Sequence, residues 1–217
     1  MKRLLTLSLI FVSCVLVAPA QGPPTLDVFT SPDGGFQFLY PQTYELLVGD
    51  RILRATQGKH VGIPVCDFST ALACIVYPIE IADESRFEAA GFSVNLVPGV
   101  SSESDCLNYA DQQARSRGEA VQASSAVMNP MVINAIVIND HEFRHATVRK
   151  TLSGHSQESD LYRTFHRQKC YELQIEVSVS EEPAAQSHPQ TVSPENARAY
   201  SARESLRLIL SSFSFMP

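Results

Sequence analysis

The chain has 217 residues, of which 44% are hydrophobic, and its 17 Lys and Arg against 23 Asp and Glu give a formal net charge of -6. This length fits one domain with a substantial buried core. The basic residues are spread along the chain, which argues against binding to nucleic acid or to an anionic membrane surface. We therefore expect one soluble globular domain.

The first twenty residues have the layout of a secretory signal peptide. Lys2 and Arg3 precede an apolar run from Leu4 to Val17, and Ala18-Pro19-Ala20 resembles a small-residue cleavage site. The apolar run is about 14 residues long, shorter than the roughly 20 that span a hydrocarbon core. We predict a signal peptide over residues 1–20, export to the periplasm or extracellular space, and no membrane insertion after cleavage. An uncleaved N-terminal anchor is the alternative.

Cleavage would leave 197 residues (217 minus 20) and change the net charge from -6 to -8, because Lys2 and Arg3 are lost. Residues 21–26 are predicted to be a flexible lead-in, since they are polar and rich in proline. Residues 27–217 are predicted to form a single α+β domain.

Cysteine usage fits an oxidising compartment. Without Cys14, the remaining cysteines are Cys66, Cys74, Cys106 and Cys170. An even number of cysteines predicts two disulfides, for which three connectivities exist. We pair Cys66 with Cys74 as a local staple, and Cys106 with Cys170 by elimination. No C-x-x-C pair occurs among them, which counts against a zinc or redox centre.

The first half of the domain contains short strands and two predicted helical segments. Phe36 to Tyr40 alternates as a strand after the turn Ser31–Gly35, and Pro41 ends it. Further strands are predicted at Glu45–Val48, Arg51–Ala55 and Phe92–Val97. Val61–Val65 and Ala73–Ile79 are predicted to form a hairpin. Helical structure is predicted for Ser85–Ala90 and for Ser102–Arg117, where Ser102 is the expected N-cap.

The second half predicts a four-stranded meander followed by a helix. The strands are Val132–Ile138, His141–Leu152, Ser159–His166 and Tyr171–Val179, with turns at Asn139–Asp140, Ser153–Gly154 and Gln168–Lys169. Ser193-Pro194-Glu195 is typical of a helix start. Its predicted buried stripe is Ala202, Leu206, Ile209, Leu210 and Phe213. The order of elements predicts an antiparallel β-sheet flanked by helices.

The segment Phe29–Pro41 resembles the opening strands of PsbP-like domains. In that family a Gly-Phe strand ending in Tyr-Pro is followed by an aromatic residue, which here is Tyr44. The closing helix that runs into Ser212–Phe215 is similar to the last helix and C-terminal strand of the family. The resemblance implies an α/β/α sandwich that serves as a binding or assembly module, and it brings no catalytic residues with it.

One motif indicates a competing function. His141-Glu142-Phe143-Arg144-His145 matches H-E-x-x-H, which on a helix places two imidazoles about 5–6 Å apart for zinc and leaves the glutamate as general base. The surrounding residues favour a strand instead, on which His141 and His145 would lie about 13 Å apart. Arg144 is unusual for such a helix, and no third ligand is evident. We expect a hairpin strand with polar residues facing solvent and Phe143 in the core.

The other candidate residues have simpler interpretations. The remaining histidines, His60, His155, His166 and His188, are scattered, and His155 and His188 are expected in loops. The aromatic residues Phe36, Phe38, Tyr40 and Tyr44 could line a ligand groove, but we expect them to build core.

The sequence thus predicts an exported, non-catalytic domain that binds a partner protein, an envelope component or a small ligand. No catalytic, cofactor or metal residue is assigned. The alternative is a zinc-dependent hydrolase that uses His141, Glu142 and His145, and a third hypothesis is a structural subunit of an envelope complex. Whether residues 141–145 are helical or extended separates the first two.

Overall fold

A computed structural model describes residues 24–33, 35–52, 66, 70–78, 87–108, 129–152, 154–180 and 194–217. Two antiparallel sheets and a C-terminal helix dominate this part of the chain. No helix within it is both long enough and apolar enough to cross a membrane.

The small sheet joins the two ends of the domain. It contains β1 (Leu26–Thr30), β2 (Phe36–Pro41) and β10 (Ser214–Phe215) in the order β1-β2-β10. The alternation in β2 buries Phe36 and Phe38 on one side. Ser212, just before β10, joins β2 to the chain that precedes it, because its hydroxyl accepts from the Leu39 amide at 2.8 Å and donates to the Ile209 carbonyl at 2.7 Å.

The large sheet has seven antiparallel strands. They are β3 (Glu45–Leu47), β4 (Ala71–Val76), β5 (Phe87–Leu96), β6 (Asn129–Ile138), β7 (His141–Leu152), β8 (His155–His166) and β9 (Lys169–Ser180). Their order is β3-β4-β5-β9-β8-β7-β6. Strands β6 to β9 form a meander, because each pairs with the strand that precedes it in the chain.

Two helices accompany the sheets. Helix α1 (Glu103–Leu107) is capped by Ser102, whose hydroxyl accepts from the Asp105 amide at 3.2 Å. Helix α2 (Pro194–Ser212) packs against β2, β5 and β9. The described helices are few, so the observed fold is mostly antiparallel sheet and supports the predicted α/β/α sandwich only in part.

One face of the large sheet, which we call the core face, packs against α2 and the small sheet. It carries Phe92 and Val94 on β5 and Leu173 and Ile175 on β9, all at most 1% exposed. The small sheet contributes Phe36 and Phe38, whose rings pack with Phe213 and Phe92. The predicted stripe of α2 is confirmed, since all of its members are buried: Ala202, Leu206, Ile209, Leu210 and Phe213.

The other face of the large sheet, the polar face, is buried although many of its side chains are polar. The buried polar residues on β5, β8 and β9 of this face include Ser93, Asn95, Gln157, Ser159, Arg163, Glu176 and Ser178. Tyr171 packs in the core, so the preceding residue, Cys170, points to the polar face. Helix α1 lies on this side, because its Cys106 is bonded to Cys170.

Several sequence predictions for elements are confirmed. The strand Phe36–Tyr40, the strand Phe92–Val97, the four-stranded meander and the start of the last helix at Pro194 are all present, with shifts of a few residues. Strand β8 begins at His155 rather than Ser159, and the β8–β9 turn is Arg167–Gln168 rather than Gln168–Lys169. Strand β1 begins at Leu26, one residue before the predicted start of the domain.

Other element predictions are wrong. Residues 87–90 belong to β5, because pairing of Phe87 with Val179 and of Ala90 with Val177 outweighs a helix-favouring composition. Arg51 and Ile52 lie in a helical turn instead of a strand. Helix α1 ends at Leu107, since Asn108 is extended. Strand β4 pairs with β3 and β5, and the hairpin strand predicted for it, residues 61–65, lies outside the described residues. Residues 1–23, 53–65 and 109–128 lie outside the described part of the chain.

Candidate functional site

The H-E-x-x-H segment is extended, so it does not form the helix that the zinc-hydrolase alternative requires. Residues 141–145 open strand β7, where Phe143 is fully buried as predicted. The expectation that the histidines face solvent is wrong, because the period of two places His141 and His145 on the same face as Phe143. Each is half-buried in a separate contact: His141 lies against Phe215, and His145 stacks on Tyr162 at 4.5 Å.

His145 belongs to an ionic network between α2 and the large sheet. Its Nε2 lies 3.3 Å from Oδ1 of Asp160, which also accepts from the Thr147 hydroxyl at 2.8 Å. Oδ2 of Asp160 lies 3.7 Å from Arg203 and 3.6 Å from Arg207. Burial acts to raise the pKa of Asp160, but these hydrogen bonds and charges together lower it. This network holds the helix to the sheet.

Glu176 is the central carboxyl of the polar face. Its Oε2 accepts from the Gln174 amide at 2.7 Å and from the Ser159 hydroxyl at 3.3 Å, while Oε1 has no hydrogen-bond partner among the described residues. Burial raises the pKa of Glu176. The hydrogen bonds with Gln157, Ser159 and Gln174 and the charge of Lys150 lower this pKa, but by less than burial raises it. The carboxyl thus lies in a buried hydrogen-bonded network, and its raised pKa comes from burial and not from the hydrogen bonds.

An open groove of about 390 Å³ lies at one end of the large sheet, where β4, β5 and β9 meet. Its apolar lining includes Leu72, Leu96, Val97 and Val100, all partly exposed. Lys169 is the one charged side chain among the described lining residues. The lining is thus mostly apolar, with one cationic side chain, and the groove is open to solvent.

Backbone hydrogen bonds and a disulfide hold the walls of the groove in place. The Leu96 amide donates to the Thr70 carbonyl, and the Val97 amide donates to the Cys170 carbonyl, both at 2.9 Å. Cys170 is joined to Cys106 with a Cα–Cα distance of 5.5 Å. Gly99, between the lining residues Pro98 and Val100, has a φ of 71°, a conformation that favours glycine.

The β8–β9 turn that closes the groove is conformationally unusual. Arg167 and Gln168 both have positive φ, 48° and 61°. Two-residue hairpins of this kind favour Asn and Gly, as at the β6–β7 turn, where Asn139 and Asp140 take the same conformation. Sequence reasoning missed the groove, because its walls come from three distant segments, and the non-ideal turn was the one local signal.

The remaining sequence candidates have structural roles. Phe36 and Phe38 are core residues, and Tyr40 and Tyr44 pack against the core, so the aromatic set builds core as expected. His155 is the first residue of β8 rather than part of a loop, and its Nδ1 lies 2.5 Å from Oε1 of Glu88. The structure brings together both expected cysteine pairs, since Cys66 and Cys74 are also joined, with a Cα–Cα distance of 6.1 Å. His60 and His188 lie outside the described residues.

Comparisons with known proteins give similarity to solved structures only. No family model and no curated protein matches the chain. Among solved structures, the chain is similar to cyanobacterial PsbP (CyanoP) from Synechocystis sp. PCC 6803, with 14% identity over 94% of this chain and 97% of that chain and a TM-score of 0.48.

A second solved structure shows a comparable similarity. The chain is similar to LpqN, described as involved in cell envelope biogenesis of Mycobacterium tuberculosis, with 9% identity over 90% of this chain and 93% of that chain and a TM-score of 0.49. One of these two solved structures is a PsbP, the family that the sequence resembles. Both matches concern the fold, and no property of either protein is carried to this chain.

Proposed function

We propose that this chain is an exported, non-catalytic binding domain whose ligand site is the groove beside Lys169. The observation that carries the proposal is the groove itself, an open apolar cleft framed by β4, β5, the β8–β9 turn and the Cys106–Cys170 disulfide. Export is supported by the predicted signal peptide and by both cysteine pairs, which suit an oxidising compartment.

The lining indicates the chemistry of the ligand. Leu72, Leu96 and Val100 offer apolar surface that favours a hydrocarbon group. Lys169 is exposed at the rim and favours an anionic head over a neutral or cationic one. We therefore propose an amphiphilic anion with an alkyl chain and a carboxylate as the ligand class.

Calorimetric titration of the purified oxidised protein with octanoate, octanol and octylamine tests the charge preference, because the three molecules share a tail and differ in head charge. We expect octanoate to bind most tightly and octylamine least. Lys169→Gln should weaken octanoate binding by about two- to fivefold, the range expected for an exposed ion pair, and leave octanol unchanged. Lys150→Gln, on β7 outside the groove, is the matched control.

The apolar part of the site has its own test. Val100→Asn should weaken binding of all three molecules, whereas Val137→Asn, at a residue 71% exposed on β6, should weaken none. Equal binding of the three head groups, or no effect of Val100→Asn, would contradict the proposed site.

A further inference from the structure

The small sheet has an open edge along β1, because no described strand pairs with the outer side of that strand. Strand β1 has five residues and pairs with β2 without a register shift. Unpaired backbone amides and carbonyls on such an edge can pair with a further strand. The edge is separate from the groove, which lies at one end of the large sheet.

The hydrogen bonds at the two ends of β1 show which of its backbone groups face the open edge. The Gln42 amide donates to the Thr25 carbonyl at 3.0 Å, and the Ser31 amide donates to the Phe36 carbonyl at 2.9 Å. Hydrogen-bonded residues alternate along an antiparallel ladder, so the odd-numbered residues of β1 bond to β2. The backbone groups that face the open edge therefore belong to Leu26, Val28 and Thr30.

The same three residues have exposed side chains, two of which are apolar. Leu26 is 50% exposed and Val28 is 61% exposed. Strand β2 continues this apolar surface, because Leu39 lies opposite Val28 and Pro41 lies opposite Leu26. The burial of this surface by a neighbouring chain would favour association.

The other edge strands of the described sheets carry features that discourage pairing with a further strand. Strand β3 has three residues and β10 has two, whereas β6 contains Pro130 and an irregular register between Met131 and Asn134. Short strands, prolines and bulges all protect sheet edges. Strand β1 has none of these features, and its one charged residue, Asp27, accepts a hydrogen bond from the Gln42 side chain at 2.7 Å.

We propose that β1 pairs in antiparallel orientation with β1 of a second copy of this chain, on a two-fold axis at Val28. Val28 then lies opposite Val28 of the copy, and Leu26 lies opposite Thr30 of the copy. Each of these residues turns its amide and its carbonyl towards the copy, so all of these groups are paired. The interface is isologous and closes on itself, which gives a dimer instead of a filament.

The sequence of β1 favours this register over the neighbouring ones that pair the same backbone groups. A shift of two residues in one direction places the Asp27 carboxylates of the two copies directly opposite each other, which is destabilising. The opposite shift places Leu26 opposite Pro32, which has no amide to donate. In the proposed register Asp27 lies opposite Phe29, and Pro24 lies opposite Pro32 beyond the paired residues. The strand is therefore complementary to itself.

Sedimentation equilibrium of the purified oxidised protein tests the dimer. A contact confined to two five-residue strands belongs to the small interfaces, below about 1,200 Å², so we expect a reversible dimer that grows between about 1 μM and 1 mM protein. Val28→Lys places two like charges opposite each other and should raise the dissociation constant at least about tenfold. Val137→Lys, at a residue 71% exposed on edge strand β6, is the matched control and should leave the constant unchanged.

Cross-linking tests the register. Val28→Cys should form a disulfide between two copies, because the Cα atoms of such a hydrogen-bonded pair lie about 5.5 Å apart, within the range that a disulfide bridges. Leu26→Cys should not cross-link to itself, since the same residue of the copy lies about 13 Å further along the strand. A mixture of Leu26→Cys and Thr30→Cys proteins should cross-link.

If Val28→Lys does not fold, sedimentation of the wild-type protein and the cross-linking pattern still decide the question. A monomer at every concentration would overturn the proposal and leave the edge to a different partner. So would a dimer that Val28→Lys leaves intact or that Val137→Lys dissociates, or cross-linking of Leu26→Cys to itself. None of these outcomes depends on binding in the groove.

Discussion

Asp160 is a buried carboxylate that connects helix α2 to strands β7 and β8. Its side chain is 4% exposed and faces His145, Thr147, Arg203 and Arg207. A buried charge is tolerated only where partners compensate for its lost hydration, and here each partner comes from a neighbouring element. Sequence could not reveal this network, because the partners are brought together by the packing of α2 on the sheet.

Asp160→Asn is expected to lower the free energy of unfolding at neutral pH by about 1–3 kcal/mol, because Arg203 and Arg207 each lose one of two carboxylate partners and solvent screens part of the effect. The pKa of Asp160 is lower in the folded state than its ordinary value of 3.8. The stabilisation is therefore complete above that value and is lost as pH falls through the folded-state pKa. Urea unfolding at neutral and acidic pH measures both effects.

The control for Asp160 is Asp140→Asn, in the exposed β6–β7 turn. It should leave stability nearly unchanged. Equal stabilities of Asp160→Asn and wild type at neutral pH, or a difference that grows as the pH falls, would show that the network does not stabilise the fold.

Glu176 should have the opposite pH dependence. Its pKa is raised in the folded state, so the folded protein holds a proton that the unfolded chain releases, and stability is lost as pH rises from the ordinary value of 4.5 through the folded-state pKa. Glu176→Gln should remove this loss, so the variant should gain stability relative to wild type as pH rises. Urea unfolding across that pH range measures the difference, with exposed Glu142→Gln as the control. A pH-independent difference would contradict the assignment.

At the scale of elements, the sequence correctly predicted the strands and helices whose local residue pattern favours the same structure as their place in the fold. The meander was evident because alternating strands are joined by turn residues such as Asn139–Asp140. The segment around Phe87 was predicted wrongly, because local composition favours helix while pairing with β9 makes it a strand. A helical pattern was also predicted beyond Leu107, where the extended conformation of Asn108 ends α1.

The amphipathic pattern of α2 allows a matched test on a single helix. Leu206 is fully buried and Leu208 is 73% exposed, two residues further along. Leu206→Ala should cost about 2–5 kcal/mol of unfolding free energy, because it leaves a cavity in the core. Leu208→Ala should change stability by less than about 0.5 kcal/mol. Thermal and urea unfolding of the two variants provide the comparison, and similar losses for both would mean that α2 packs through a different face.

At the scale of the whole molecule, the two cysteine pairs close loops of different size. Cys106 and Cys170 are 64 residues apart in sequence, and Cys66 and Cys74 are 8 apart. In the chain-entropy model, replacing each pair by Ala should cost about 4 kcal/mol for the longer loop and about 2.5 kcal/mol for the shorter one. Urea unfolding of the two double variants tests this order. A larger loss for the Cys66 and Cys74 variant would contradict it.

The pairing of distant strands could not be predicted from sequence. Strand β5 lies beside β9 in the large sheet. Strands β6, β7 and β8, which lie between them in sequence, extend the sheet on the opposite side of β9. The groove exists because of this order, since it brings Thr70, Leu96 and Lys169 to one end of the sheet. The sequence therefore predicted export, the cysteine pairs and a binding role, whereas the position of the groove required the topology.

The most direct test of the proposed binding role is a titration of ¹⁵N-labelled oxidised protein with octanoate, followed by amide chemical shifts. The account predicts saturable shift changes at Leu72, at residues 96, 97, 99 and 100 and at residues 168–170, with the Lys169→Gln variant requiring more octanoate to reach saturation. Shifts that never saturate, or that saturate only at residues remote from this groove, would contradict it.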